Sequence, residues 1–235
     1  MNIYQFAKRH PLYGASRIIS KAALLLCLAF PALAEPGPRD AGTALVAFGD
    51  SLTQGYGLRE DEGFVPELRR WLADAGRGDV TVINAGVSGD TTAGGLARIE
   101  WTLTPEVGAM IVALGGNDLL RGIDPAVTRA NIDGILQAAG AAGVAVLLIG
   151  MEAPGNYGPE FKRDFDAIWP EMAARHDVTL VPSFFIALGE NPDPAELREM
   201  FQADGLHPNT EGVQRIVAGL GPHVLDLLDR AAAGR

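Results

Sequence analysis

Short apolar runs alternate with amphipathic stretches along most of the chain, and this alternation constrains the fold more than any other feature. Five runs have the length and composition of buried strands, and glycines stop several of them: 43–48, 80–83, 109–114, 144–149 and 178–181. Stretches with helical spacing of apolar residues lie between and after them, at 64–75, 92–103, 125–142, 161–175 and 209–228. Since strands that alternate with helices form a parallel sheet covered on both faces, the sequence predicts an α/β fold.

Size and charge restrict the class of protein. The 235 residues, 48% of them hydrophobic, suffice for one sizeable core and favour a single domain. The chain has 19 basic and 29 acidic residues, which gives a formal net charge of -10. Binding of nucleic acid needs clustered Lys and Arg to neutralise phosphates, so we expect no nucleic-acid partner. The same acidity disfavours docking on an anionic membrane surface.

The first 34 residues differ in charge from the rest of the chain. They contain no acidic residue. Their four basic residues are Lys8, Arg9, Arg17 and Lys21, and an apolar run follows at 22–30. Small residues then end the segment at Ala34, a pattern typical of a secretory signal peptide over 1–34. The apolar run is well short of the ~20 residues that a spanning helix needs, although an uncleaved N-terminal anchor is the alternative.

We therefore expect cleavage after Ala34, a Pro/Gly linker over 35–42 and a domain over 43–230 in a periplasmic or secreted protein without stable membrane insertion. Cys27, the only cysteine, lies inside the apolar run. A cleaved protein would have no thiol, which excludes a cysteine nucleophile, a disulfide and a cysteine-based metal site.

Irregular segments follow several of the predicted strands directly. The longest are 49–63, 84–92, 115–124, 150–158 and 182–208. The carboxyl ends of parallel strands meet at one edge of the sheet, where folds of this type place their functional sites. The chemistry is therefore expected at that edge.

Ser51 and His207 are candidates for nucleophilic catalysis. Ser51 follows the first predicted strand, where its hydroxyl would lie at the sheet edge, although a serine at such a turn can simply cap a helix. His207 stands three residues after Asp204 and just before the last predicted helix. That spacing lets the carboxylate accept from Nδ1 and leaves Nε2 free to face a hydroxyl. A local Asp–His cap explains the spacing equally well.

Two glycine-rich segments could supply donors for a developing oxyanion. The backbone N–H of Gly89 follows the second predicted strand, and the Asn117 amide follows the third. The alternative is that both segments are plain glycine turns, in which Asp90 or Asp118 caps the next helix.

Four sequence blocks, taken in order, resemble those of the GDSL/SGNH hydrolase family. They are Gly49-Asp50-Ser51-Leu52, Gly89, Gly115-Gly116-Asn117-Asp118 and Asp204-x-x-His207. Segments 87–91, 119–122 and 156–158 further resemble the bacterial periplasmic thioesterase/lysophospholipase/arylesterase branch. The resemblance extends from about residue 43 to residue 228.

The resemblance implies a flavodoxin-like SGNH hydrolase fold, a three-layer α/β/α sandwich with a five-stranded, mainly parallel sheet. It assigns Ser51 as the nucleophile, His207 as the general base and acid, and Asp204 as the residue that orients His207. It assigns the oxyanion hole to the backbone N–H groups of Ser51 and Gly89 and the side-chain amide of Asn117. The implied activity is hydrolysis of carboxylic esters and thioesters of acyl chains through an acyl-enzyme, with no cofactor and no metal.

Apolar residues in the loops around this site are expected to contact the acyl chain of a small-molecule ester or thioester: Phe64, Val65, Leu119, Leu120, Ile123 and Tyr157. Packing within the domain core is an equally good interpretation of each of them.

Two other functions are compatible with parts of the pattern. A carbohydrate O-deacetylase of the same family is the alternative enzyme. A flavodoxin-like nucleotide or phosphate binder is the alternative from another class, but the chain has neither a Gly-x-Gly-x-x-Gly motif nor a Walker lysine. A metal hydrolase is disfavoured because there is no His-Glu-x-x-His motif.

Overall fold

The structure is a computed structural model that describes residues 44–189 and 194–234. The predicted signal peptide 1–34, the predicted linker 35–42 and Thr43 lie outside the described residues. The domain boundaries at 43 and 230 therefore remain predictions.

Five parallel strands form one sheet in the order β2-β1-β3-β4-β5. The strands are β1 Ala44–Gly49, β2 Thr81–Gly86, β3 Val107–Ala113, β4 Ala145–Ile149 and β5 Thr179–Val181. The chain passes from β1 to β2 on one side and returns to place β3 on the other side. The order of the strands thus reverses at β1, and such a reversal is where open α/β sheets bind ligands.

Helices connect the strands and follow the last of them. Those before β4 are α1 Ser51–Gln54, α2 Phe64–Asp74, α3 Thr92–Thr102, α4 Gly116–Leu120 and α5 Pro125–Ala141. Those after β4 are α6 Pro159–Asp166, α7 Ile168–His176, α8 Pro194–Glu199 and α9 Thr210–Ala233. Single turns of 3-10 helix occur at Gly155–Tyr157 and Ile186–Leu188.

Two hydrophobic cores cover the two faces of the sheet. Residues that alternate along each strand point to opposite faces, so Leu45 packs in one core and Val46 in the other. The first core contains buried residues of α2 and α9, and the second contains buried residues of α3, α5 and α7. The predicted three-layer α/β/α sandwich with a five-stranded parallel sheet is confirmed.

Side-chain caps fix where the helices that flank the loops begin. Thr91 accepts a hydrogen bond from the N–H of Gly94 at the start of α3, and Asn209 accepts one from the N–H of Gly212 at the start of α9. These bonds satisfy backbone donors that the first turn of a helix leaves unpaired. The caps thereby set the lengths of the loops that precede α3 and α9.

The carboxyl ends of β1, β2 and β3 are level. Gly49, the last residue of β1, pairs with Gly86 on one side and with Ala113 on the other. Three connections therefore leave the sheet side by side. Ser51 begins α1 after β1, Gly89 lies in the loop after β2, and Asn117 lies in α4 after β3.

The structure differs from the predicted elements mainly at their ends. The single helix predicted over 161–175 is two helices that meet at Ala167, because Pro170 has no N–H to donate to the Asp166 carbonyl. Strand β2 extends beyond the predicted end at residue 83 to Gly86, because it pairs with β1 along its whole length. The apolar run in the sequence stops at the polar residue Asn84, so it does not indicate this pairing. No helix within the described ranges is long and apolar enough to cross a membrane.

We expect the α9 contact with the sheet to dominate the stability of the first core. Leu220 is fully buried there, so Leu220→Ala is expected to lower the free energy of unfolding by about 2–5 kcal/mol. Gln214→Ala, on the exposed face of the same helix, should change it by no more than about 0.5 kcal/mol. Urea denaturation of the two variants measures both values, and equal losses would contradict this assignment of the helix face.

Candidate active site

Ser51 lies in a tight turn that leads directly from β1 into the short helix α1. Asp50 caps that helix by accepting a hydrogen bond of 3.1 Å from the N–H of Leu52, so Ser51 is not the capping residue. Gly49 allows the turn to close, because a Cβ there would lie 2.0 Å from Oγ1 of Thr53. The backbone therefore approaches α1 more closely than any side chain at position 49 would permit.

Ser51, His207 and Asp204 form a continuous hydrogen-bonded series. Nε2 of His207 lies 2.9 Å from Oγ of Ser51, and Nδ1 lies 2.7 Å from Oδ2 of Asp204. The other carboxylate oxygen of Asp204 accepts from the N–H groups of Leu206 and His207, at 2.9 and 3.0 Å. Asn209 provides the cap of α9. Asp204 does cap the turn that carries His207, but the contact of His207 with Ser51 goes beyond a local Asp–His cap.

Asp204 is held in its ionised form. The hydrogen bond from the Leu206 N–H, followed by those from the His207 ring and the His207 N–H, lowers the pKa of Asp204 to about 2. A carboxylate in this position favours the tautomer with a proton on Nδ1, which leaves Nε2 as an acceptor for the Ser51 hydroxyl.

Gln202 joins the loop of His207 to the loop after α1. Its backbone N–H donates to the His207 carbonyl at 2.8 Å. Its side-chain amide donates to the carbonyls of Tyr56 and Pro208, at 2.8 and 3.0 Å. The Tyr56 ring lies against the imidazole of His207, with 4.8 Å between ring centroids. Sequence reasoning missed Gln202 and Tyr56, because neither belongs to a recognisable motif.

The predicted oxyanion donors lie on the loops beside Ser51. Gly89 has φ of 79°, a value that favours glycine, in a turn closed by a hydrogen bond from the Asp90 N–H to the Val87 carbonyl. The Val87 N–H in turn donates to the Gly49 carbonyl at 3.1 Å, which joins this loop to β1. Among the described residues, no hydrogen bond uses the N–H of Ser51 or of Gly89, so both are free to meet a substrate oxygen.

Asn117 reaches the site from α4, the short helix that follows β3. Its Nδ2 lies 3.3 Å from Oδ2 of Asp50, the carboxylate that caps α1. Burial raises the pKa of Asp50, although its hydrogen bonds from Leu52 and Asn117 oppose that shift. The contact places the Asn117 amide beside the turn that carries Ser51.

Asp118 holds α4, the helix that carries Asn117, in place. It is completely buried and accepts hydrogen bonds from the N–H and hydroxyl of Thr92 and from the hydroxyl of Thr128. The alternative that Asp118 caps the helix after it is wrong, since the carboxylate bonds the start of α3. This side chain therefore joins α4, which follows β3, to α3, the helix that follows the Gly89 loop.

The predicted acyl-contacting residues fall into two groups. Phe64 and Val65 are only 1% and 0% exposed and pack in the first core. The prediction that they contact the acyl chain is wrong, since neither side chain has surface for a substrate to contact. Leu120 and Tyr157 are exposed, and the Tyr157 hydroxyl donates to the Leu120 carbonyl at 3.3 Å.

Leu119 and Ile123 are half-buried in the same loop region. Leu119 also packs against the second core, so only part of its surface is available. In the part of the chain that the structure describes, no three His, Cys, Asp or Glu side chains are grouped so that they could hold a metal ion.

Comparison with known proteins agrees with this fold. The profile of the GDSL-like lipase/acylhydrolase family matches residues 47–215. Esterase TesA of Pseudomonas aeruginosa is 40% identical over 209 residues, which are 88% of this chain and 99% of that protein. Thioesterase 1/protease 1/lysophospholipase L1 of Escherichia coli K12 is 37% identical over 172 residues, 73% of this chain and 78% of that protein.

A solved structure also matches the fold of this chain. The crystal structure of AlinE4, an esterase of the SGNH-hydrolase family, matches with a TM-score of 0.62 and 42% sequence identity. The match covers 79% of this chain and 96% of AlinE4. The fold is thus that of an ester-bond hydrolase. The chain belongs to the GDSL-like lipase/acylhydrolase family, so the alternative of a nucleotide or phosphate binder is wrong.

The lowered pKa of Asp204 predicts when this carboxylate gains a proton. Its interactions favour the folded state fully above the ordinary value of 3.8 and are lost as the pH falls through about 2. An NMR titration of the Asp204 carboxyl carbon should therefore show a midpoint near 2. In His207→Ala the midpoint should rise but stay below 3.8, because the Leu206 N–H still donates. A midpoint of 3.8 or above in the unmodified protein would contradict this geometry.

Proposed function

We propose that the protein is a periplasmic or secreted serine esterase that also hydrolyses acyl thioesters and lysophospholipids. The observation that carries the proposal is the 2.9 Å contact between Nε2 of His207 and Oγ of Ser51. A serine hydroxyl is a weak nucleophile unless a base accepts its proton, and this contact supplies the base. The names of the relatives from P. aeruginosa and E. coli support the range of substrates.

Acylation begins when Ser51 Oγ attacks the carbonyl carbon of the ester. Nε2 of His207 takes the hydroxyl proton as the new bond forms, and the carbonyl oxygen becomes an oxyanion. When the tetrahedral intermediate collapses, Nε2 gives the proton to the leaving alcohol or thiol. A water molecule then repeats the sequence on the acyl-enzyme, which releases the carboxylic acid and restores Ser51. Asp204 stays ionised throughout and stabilises the imidazolium.

Three donors stabilise the oxyanion. They are the N–H groups of Ser51 and Gly89 and the Nδ2 of Asn117. Donors that are fixed before the reaction stabilise developing charge without further reorganisation, and one such donor typically contributes about 10²–10³ in kcat. The buried carboxyl groups of Asp118 and Asp50 hold Asn117 in place for this role.

The acyl chain lies along the loops after β3 and β4. Leu119, Leu120, Ile123 and Tyr157 provide the apolar surface, of which Leu120 and Tyr157 are the most exposed. Each buried methylene contributes about 0.8 kcal/mol at most. The leaving group contacts little of this surface, so we expect the enzyme to accept esters with different leaving groups.

The proposed location follows from the signal peptide predicted over 1–34. Export would separate the enzyme from acyl-CoA and acyl-carrier protein. Lysophospholipids and exogenous esters are therefore the proposed natural substrates, and thioesters are alternative substrates in vitro.

The proposed roles of Ser51 and His207 predict that either substitution abolishes most of the activity. Ser51→Ala and His207→Ala should each lower kcat on p-nitrophenyl esters by about 10⁴-fold, because the two residues act as a unit. His223→Ala, in the middle of α9, is the matched control and should retain normal kcat. Near-normal turnover by Ser51→Ala would refute the mechanism.

The proposed acyl site predicts the order of substrates. The value of kcat/KM on purified protein should rise from acetyl to medium-chain p-nitrophenyl esters, and lysophosphatidylcholine should be hydrolysed. Leu120→Ser should flatten the rise with chain length and leave the acetyl ester nearly unaffected, because only longer chains reach that residue. A strong preference for acetyl esters, above all for acetylated sugars, would favour the carbohydrate O-deacetylase instead.

A further inference from the structure

Arg98, on helix α3, binds three separate segments at the carboxyl edge of the sheet. Its Nη2 donates to the Gly49 carbonyl at 2.9 Å, and its Nη1 donates to the Ala85 carbonyl at 2.8 Å. Its Nε donates to Oδ2 of Asp90, also at 2.8 Å. The planar guanidinium suits this task, since its N–H groups point outward in a fixed fork toward several acceptors.

The three acceptors surround the proposed oxyanion loop. Ala85 precedes this loop at the end of β2, and Asp90 directly follows Gly89. Gly49 ends β1, two residues before Ser51. One side chain thus holds the Gly89 loop at both ends and connects it to the strand that carries the nucleophile.

The environment of Arg98 makes these contacts strong. The side chains of Arg98 and Asp90 are only 24% and 11% exposed, so water screens their ion pair poorly. The guanidinium also lies 4.0 Å from the centre of the Phe48 ring, a favourable cation–π contact. A hydrogen-bonded guanidinium with little solvent exposure keeps one orientation.

We propose that Arg98 is a positioning residue for the esterase reaction: it sets the separation between Oγ of Ser51 and the N–H of Gly89. It acts through the loop and does not touch the substrate. The inference rests on the roles proposed above for Ser51 and Gly89. Without the guanidinium, the loop keeps the hydrogen bonds from the Val87 N–H to the Gly49 carbonyl, from the Ser88 hydroxyl to Gln54 and from Arg121 to the Gly89 carbonyl. It loses the hold on the Ala85 carbonyl and on Asp90, which are the contacts that fix the two ends of the loop.

The test compares Arg98→Ala and Arg98→Lys with a matched control, Arg69→Ala. Arg69, on α2, also donates to a carbonyl of β2, that of Val82, but near the amino end of the strand and away from the site. The measurements are kcat and KM on a p-nitrophenyl ester, the inhibition constant of an arylboronic acid, and the thermal midpoint. The boronic acid forms a tetrahedral adduct with the serine and so reports on the oxyanion donors.

We expect Arg98→Ala to lower kcat by about 10- to 100-fold with KM changed less than about 3-fold, as for a misplacement of a reacting group by about 1 Å. Boronic acid binding should weaken by the same factor as kcat/KM. Arg98→Lys should fall between Arg98→Ala and the unmodified protein, because an ammonium group reaches fewer of the acceptors. Arg69→Ala should retain kcat, even if its thermal midpoint falls.

Several results would overturn the proposal. They are an unchanged kcat in folded Arg98→Ala, a loss confined to KM, and an equal loss of kcat in Arg69→Ala. If Arg98→Ala does not fold, Arg98→Lys and Asp90→Asn decide the question, since each should lower kcat at unchanged KM while folded. Failure of the proposed function is distinguishable, because the unmodified protein would then hydrolyse no ester at all.

Discussion

The pairing of Gly49 with Gly86 on one side and with Ala113 on the other determines where the three connections that carry Ser51, Gly89 and Asn117 begin. Parallel strands that end at the same level send their loops out side by side, so groups far apart in sequence reach one point. A shift of one residue in either pairing would move a donor by about 3.3 Å relative to Ser51, which is more than a hydrogen bond tolerates. The two hydrophobic cores fix this register, because they bury alternate residues of each strand on opposite faces.

Three carboxylates near the site differ in function because their surroundings differ. Asp118 is fully buried and serves the structure, since three donors from Thr92 and Thr128 satisfy it. Asp50 is 5% exposed, and its burial raises its pKa while it caps α1 and receives Asn117. Asp204 lies nearer to solvent and accepts two backbone N–H groups, which keep it ionised beside His207. The donors around each carboxyl group therefore decide whether it supports the fold, as Asp118 does, positions another side chain, as Asp50 does, or stays ionised, as Asp204 does.

Much of this could be predicted from the sequence, because the signals are local. The apolar runs of β1, β3 and β4 are bounded by glycines, and the Asp204–His207 spacing lies within one turn of chain. What the sequence could not predict depends on contacts between distant segments. The acceptors of Arg98 come from two strands and a loop, so its role becomes visible only when the order of strands is known. The prediction that Val65 contacts the substrate is wrong, because its spacing with Leu68 and Leu72 puts it on the buried face of α2.

We propose that the segments at this edge of the sheet form a single acyl-transfer site with Ser51 as nucleophile. Reaction of the purified protein with an excess of a fluorophosphonate, followed by intact-protein and peptide mass spectrometry, tests this proposal. We expect one adduct per chain, on Ser51, which forms far more slowly in His207→Ala and is absent from Ser51→Ala. An adduct on a different serine, or an esterase-active protein that acquires no adduct, would contradict it.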